Sequence, residues 1–216
     1  KDKVKNIMKI HGIAASEGIA IAKAFVMEEV SLDFQKKSID DPKSELEKLE
    51  KAIEKSEQEL QVIRDKTAKN MDEEHAMIFD AHMQILRDPE IASQVKDMVE
   101  NEEVNAVYAL HQVTETFANI FAAMDDDYMK ERAADVRDVR TRVASHLLGV
   151  KMADPTLINE EVIVVANDLT PSDTAQLNKD FVLGFVTNIG GRTSHSAIMA
   201  RSLEIPAVLG TKNVLE

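Results

Sequence analysis

The chain contains no cysteine and no tryptophan. Without cysteine there is no disulfide, no thiolate metal site and no cysteine nucleophile, which fits a reducing cytosol. Aromatic residues make up only 4%, so the ten methionines, with Ala, Ile, Leu and Val, are expected to fill the core. Basic residues are outnumbered, 26 against 39 acidic, for a formal net charge of −13. A body this acidic argues against nucleic acid, which needs a basic footprint, and steers a basic partner toward itself. No apolar run approaches the roughly 18 residues of a membrane span. The charged start, Lys1 to Lys9, is followed by no signal-type hydrophobic region. No membrane insertion is expected, and the expected compartment is the cytoplasm.

What is present falls into three textures along 216 residues, a length that suits one or two domains. Residues 8 to 27 read as strand, with Ile10, Ile13, Ile19, Ile21, Phe25 and Val26 punctuated by Gly12 and Gly18. Residues 40 to 149 hold a single glycine, Gly149, and read as helix throughout. Asp41-Pro42 and Asp88-Pro89 each pair an N-cap with proline at the first helical position. Leu46, Leu49, Ile53, Leu60 and Ile63 recur at helical spacing. Further helices are predicted over about 73–87, 89–99, 105–124 and 127–148, the last stopped by Gly149. Short connections make neighbours antiparallel. From residue 161 strands and helices alternate. Val162–Val165 reads as a buried strand, 175–177 as a short helix after the turn Thr170–Asp173, 183–186 as a strand, 196–203 as a helix and 207–209 as a strand. The expected fold is therefore a discontinuous α/β subdomain, residues 1–35 and 150–216, with an all-helical bundle, residues 36–149, inserted between its parts.

The informative stretch is Gly190-Gly191-Arg192-Thr193-Ser194-His195. It places a histidine after a glycine pair, at the start of a helical apolar run. A helix N-terminus carries partial positive charge and free N–H groups. Such a site disfavours imidazolium, keeps the ring nucleophilic and then favours a phosphoryl anion on it. The glycines allow close backbone approach, and a threonine hydroxyl (Thr170, Thr174, Thr187 or Thr193) would pin the other ring nitrogen. On spacing alone the bland alternative, a capping Ser194 beside an incidental histidine, stands level with this reading.

Gly190–Arg201, continued by Leu203–Gly210, closely resembles the phosphohistidine signature of the phosphoenolpyruvate-utilising enzymes. Asp168–Leu177 and Asp127–Asp138 narrow the resemblance to the N-terminal domain of Enzyme I, the phosphoenolpyruvate–protein phosphotransferase of the bacterial sugar phosphotransferase system. The resemblance runs from about Gly12 to the end. It implies that His195 accepts phosphate from phosphoenolpyruvate and passes it to a histidine of the carrier protein HPr. It implies a swivelling α/β subdomain with an inserted helical HPr-binding subdomain, and it matches Thr174 to the threonine that contacts the active imidazole. Gly190, Gly191, Arg192, Thr193 and Ser194 frame the site. By family position, Glu73, Glu74, Ile85, Asp88, Glu90, Ile91 and Arg132 fall on the HPr surface. No cofactor or metal is expected in this chain. The resemblance implies Mg²⁺ and phosphoenolpyruvate binding in a C-terminal domain beyond it, which also dimerises the complete enzyme, whereas this chain alone is expected to be monomeric. It also implies that the α/β subdomain continues past Glu216, leaving a sheet edge or face open here. Two alternatives stand beside this reading: a pyruvate phosphate dikinase-like or phosphoenolpyruvate synthase-like enzyme, and a non-catalytic regulatory module. The helical insert argues against the first. His75 and His82 have no tight ligand cluster around them, and Arg192 is a better phosphate contact than Arg201.

Overall fold

A computed structural model describes residues 7–216; the first six residues of the expected α/β segment lie outside the described residues. In chain order the elements are β1 (Ile13–Ser16), β2 (Lys23–Met27), α1 (Pro42–Asn70), α2 (Glu73–Leu86), α3 (Pro89–Glu102), α4 (Ala106–Ala122), α5 (Asp127–Leu148), β3 (Val162–Ala166), α6 (Pro171–Ala175), β4 (Val182–Thr187), α7 (His195–Ser202) and β5 (Ala207–Leu209). Two compact units result: among the described residues, 7–29, 156–169 and 177–216 form one, and 30–155 and 170–176 the other.

The helical unit is punctuated by aspartates. Asp41, Asp72, Asp88 and Asp126 each accept backbone N–H bonds from the first turn of the helix that follows, and each such cap contributes about 1 kcal/mol. The start of α4 is solved differently. Asn105 makes no side-chain cap bond; its Oδ1 accepts from Lys37 N and its Nδ2 donates to the Gln35 carbonyl. The Glu45 carboxylate, from α1, accepts the Ala106 N–H at 2.9 Å instead. Gly149 ends α5 at φ 66°, a left-handed turn that glycine adopts without a Cβ penalty.

The expectation that methionine fills the core is not met. Among the described residues the fully buried hydrophobics are mostly Ala, Val and Leu, with Met27 the one methionine, whereas Met8, Met77 and Met124 are exposed. Ala52, Ala76, Ala106, Ala109, Ala118, Ala133 and Ala144 are buried on the helices. Small side chains let helix axes approach closely, which removes the volume that flexible methionines would occupy.

The other unit holds a five-stranded sheet in the order β1-β5-β4-β3-β2. β2, β3, β4 and β5 run parallel, and β1 pairs antiparallel with β5. The unbroken apolar run of β3 suits a central parallel strand. Val164, Phe185 and Ala207 share one face by register and are almost fully buried. Val26, Val165, Val186 and Val208 share the opposite face, and of these Val26 and Val208 are exposed.

The short helix expected at 175–177 lies earlier, at Pro171–Ala175, where the sequence reads as a turn. It belongs to the helical unit, although its neighbours in sequence are in the sheet unit. Its reason is a capping box: the Thr170 hydroxyl accepts the Asp173 N–H while the Asp173 carboxylate accepts the Thr170 N–H. Helix α7 likewise starts one residue earlier than its periodicity indicates, at His195.

Candidate functional site

In the sheet unit the chemistry gathers beyond the carboxyl ends of the parallel strands, where open α/β sheets place their ligands. The β4–α7 connection starts at Asn188, whose side chain acts as a three-way pin. Its Nδ2 donates to Asn167 Oδ1 after β3, and its Oδ1 accepts from the Thr211 hydroxyl and from Val214 N at 2.7 Å after β5. Asn167 in turn donates to Glu29 after β2 at 2.7 Å. The loop that carries the histidine is thus tied to the ends of three neighbouring strands.

Gly190 has φ +111°, and a Cβ there would meet the Leu209 side chain at 3.2 Å, so glycine is required by the fold itself. Gly191 is different: a Cβ on it would meet nothing within 4 Å. Ser194 closes the loop as the N-cap of α7. It accepts from Ala197 N and donates to the Gly191 carbonyl at 2.8 Å. His195 follows as the first helical residue, half-buried, and its Nε2 is buried with no hydrogen-bond partner among the described residues. This buried ring nitrogen lies at a helix start, beside backbone N–H groups that have no intrahelical acceptor. Arg192 and Thr193 are exposed beside it. The Arg201 guanidinium is committed to backbone, donating to the Ala15 and Arg192 carbonyls.

In the sequence Asp168 stands out only as part of a longer segment. Partial desolvation holds its carboxyl above the usual range, against the opposing pull of the Leu169 N–H and of charge on His195. It follows directly after the β3 end, where the site forms, and no local pattern marks it out.

Thr174 lies in the helical unit, on α6, and is buried. Its hydroxyl donates to the Pro171 carbonyl at 2.9 Å. A buried acidic cluster fixes this turn. Asp138 on α5 accepts both the Ser172 N–H and the Ser172 hydroxyl, each at 2.8 Å. Burial, reinforced by the neighbouring Asp138 carboxylate, pushes Asp173 up to about 6. Close by on α2 and α5, fully buried His82 keeps its Nε2 2.9 Å from Asp135 Oδ1. His75 bonds Asp72 at the start of α2, and His111 stacks on Phe34. Among the described residues no group of three or more His, Cys, Asp or Glu side chains is arranged to hold a metal ion.

The seven residues expected on a partner surface all lie in the helical unit, on α2, α3, the link between them and the start of α5. Glu73, Glu74 and Glu90 are exposed, Glu73 in an ion pair with Arg64. Asp88 is occupied as the α3 cap, and Arg132 lies over the Tyr128 ring at 5.9 Å. Ile91 is half-buried, and Ile85 turns inward against the core of Ala118, Ala133 and Val136. Arg87, which brings positive charge near this surface, is paired with Glu50 and Glu57.

Residues 11–132 match the family model for the N-terminal part of the PEP-utilising enzymes, and residues 158–216 that for their mobile domain. The chain belongs to the family of phosphoenolpyruvate-utilising enzymes. Within it, the similarity is to the N-terminal part of phosphoenolpyruvate-protein phosphotransferase, Enzyme I. The chain is 58% identical over 208 residues to that protein from Priestia megaterium and 57% identical over 206 residues to that from Listeria monocytogenes. Those matches take in 96% and 95% of this chain but 36% of each relative, so the chain spans about a third of their length. The solution structure of an Enzyme I protein (nEIt) superposes with a TM-score of 0.83 at 46% identity, over 95% of this chain and 84% of that one. The N-terminal domain of a nitrogen-type Enzyme 1 superposes with a TM-score of 0.61 at 32% identity, over 94% of this chain and 83% of that one. Among the described residues no helix is long and apolar enough to cross a membrane.

Proposed function

We propose that His195 is the phosphoryl carrier of a cytoplasmic phosphoenolpyruvate–protein phosphotransferase and that this chain is the part that hands the group to the protein HPr. The observation that carries the proposal is His195 itself: first residue of α7, with Nε2 buried and without a hydrogen-bond partner among the described residues. In the first transfer the Nε2 lone pair forms a bond to phosphorus while the bond from phosphorus to the enol oxygen breaks. Pyruvate leaves as its enolate and takes up a proton. In the second, a ring nitrogen of an HPr histidine forms the new N–P bond as the first breaks. A covalent intermediate divides one transfer into two easier ones, and the protein's contribution is positioning and electrostatics.

Each framing residue has a role in that chemistry. Free N–H groups at the start of α7 favour the phosphoryl anion. Gly191 leaves the backbone open for it, and exposed Arg192 supplies positive charge. The described residues gather no set that fits the Mg²⁺ implied for the complete enzyme, and these positioning roles fall to the chain's own side chains and backbone. The exposed acids of α2 and α3 suit a partner that is basic around its own active histidine.

The test uses the full-length protein and radiolabelled phosphoenolpyruvate. His195→Ala is expected to abolish labelling of both this protein and HPr while HPr still binds. Labelling of HPr through the His195→Ala protein would refute the proposal.

A further inference from the structure

Between the end of β4 at Thr187 and the start of α7 at His195 runs a loop, Asn188 to Ser194. It holds two glycines, which have little conformational preference of their own. Its far end is closed locally. Ser194 donates to the Gly191 carbonyl from both its N–H and its hydroxyl, and Arg201 of α7 donates to the Arg192 carbonyl. Its near end is tied to the sheet. The Asn188 N–H donates to the Ala166 carbonyl at 3.3 Å, and the Asn188 carbonyl accepts the Lys212 N–H at 3.2 Å. The Ile189 N–H donates to the Asn167 carbonyl at 3.0 Å.

The half-buried Asn188 side chain adds bonds that no neighbour in the loop can supply. Its Oδ1 accepts the Val214 N–H at 2.7 Å. The Thr211 hydroxyl lies 3.1 Å from the same oxygen and 3.0 Å from the Thr187 carbonyl, and shares its proton between them. On the other side Nδ2 donates to Asn167 Oδ1 at 3.2 Å. A reversed amide would set its own donors against the Val214 N–H, so the orientation is fixed. Ile189 is apolar and exposed, and the glycines after it carry no side chain. The root of the histidine loop is therefore held to the ends of β3 and β5 by one amide. Misplacing a reacting atom by about 1 Å can cost on the order of a hundredfold in rate.

We infer that Asn188 is a positioning residue for phosphoryl transfer, its side chain holding the loop so that His195 Nε2 stays where phosphorus arrives. The inference rests on the reading of His195 as the carrier. The test is single-turnover transfer from phosphorylated HPr to the full-length protein, followed against HPr concentration. Asn188→Leu, similar in size but without hydrogen bonds, should lower the saturating rate at least about tenfold. The half-saturating HPr concentration should not change, because the residues assigned to the HPr surface lie in the helical unit. Asn188→Asp keeps an acceptor for the Val214 N–H, and a turned Asn167 amide can donate to its second oxygen. It should stay within about threefold of the parent. Val164→Ala opens a cavity in the fully buried sheet core and lowers stability without touching these bonds. While folded, it should transfer at the parental rate. A parental rate in folded Asn188→Leu, an equal loss in Val164→Ala, or an equal loss in Asn188→Asp would each overturn the inference. If Asn188→Leu does not fold, Thr211→Val decides: removing one hydroxyl bond should slow transfer about threefold, and a parental rate would overturn the inference. No transfer to the unmodified protein would instead strike the His195 reading, and this inference with it.

Discussion

The Asp173 carboxylate is destabilising at neutral pH. Its value of about 6 in the fold lies above its ordinary 3.8, so this group favours the folded state fully below 3.8, and that contribution is lost as pH rises through about 6. Asp173→Asn keeps an oxygen for the Thr170 N–H and removes the charge. The variant should be more stable than the parent by on the order of 1–3 kcal/mol at pH near 8. The gain should shrink toward zero near pH 3.5, as read by paired thermal melts, and a gain that ignores pH would contradict the assigned cause. The two glycines make a second contrast. Gly190→Ala must place a Cβ against Leu209 at φ +111° and should cost about 1–3 kcal/mol. Gly191→Ala meets nothing and should leave denaturant stability within about 0.5 kcal/mol while slowing phosphoryl acceptance. Normal acceptance by Gly191→Ala would remove this glycine from the site.

At the scale of elements, α7 and α6 are short and depend on their starts. Ser194→Ala deletes the α7 cap and should cost about 1 kcal/mol in urea unfolding. Asp138→Ala leaves the Ser172 N–H and hydroxyl without their acceptor and should cost about 2–4 kcal/mol. Unchanged midpoints in both variants would mean that these bonds do not hold the two turns. The contrast between these helices also explains what is legible in the sequence. The helices after Asp41, Asp88 and Asp126 can be placed because their caps lie next to them in the chain. His195 stands out because glycine, serine and the apolar run are contiguous. Helix α6 is harder to place because part of what stabilises it, Asp138, is 34 residues away. The Asn188 pin is invisible in the sequence for the same reason, its side-chain partners lying 21 to 26 residues distant. Helical spacing shows Ile85 to lie on an apolar stripe but not which neighbour that stripe meets, and it turns toward the core.

At the scale of the whole molecule, a net charge of −13 makes encounter with a basic partner electrostatically steered. Glu73→Lys combined with Glu74→Lys should lower the association rate with HPr about tenfold at low salt, and the difference should close as salt rises. A salt-independent loss would place these residues in direct packing instead. Val26 and Val208 are exposed on one sheet face, on either side of half-buried Val186 and buried Val165. Neither feature bears on the central claim, that one imidazole carries the phosphoryl group. That claim is tested most directly by intact-protein mass spectrometry of this chain after mixing with phosphorylated HPr. The account predicts one acid-labile phosphoryl adduct on the unmodified chain and none on His195→Ala, with both folded by circular dichroism. An adduct on His195→Ala, or none on a folded unmodified chain, would contradict it.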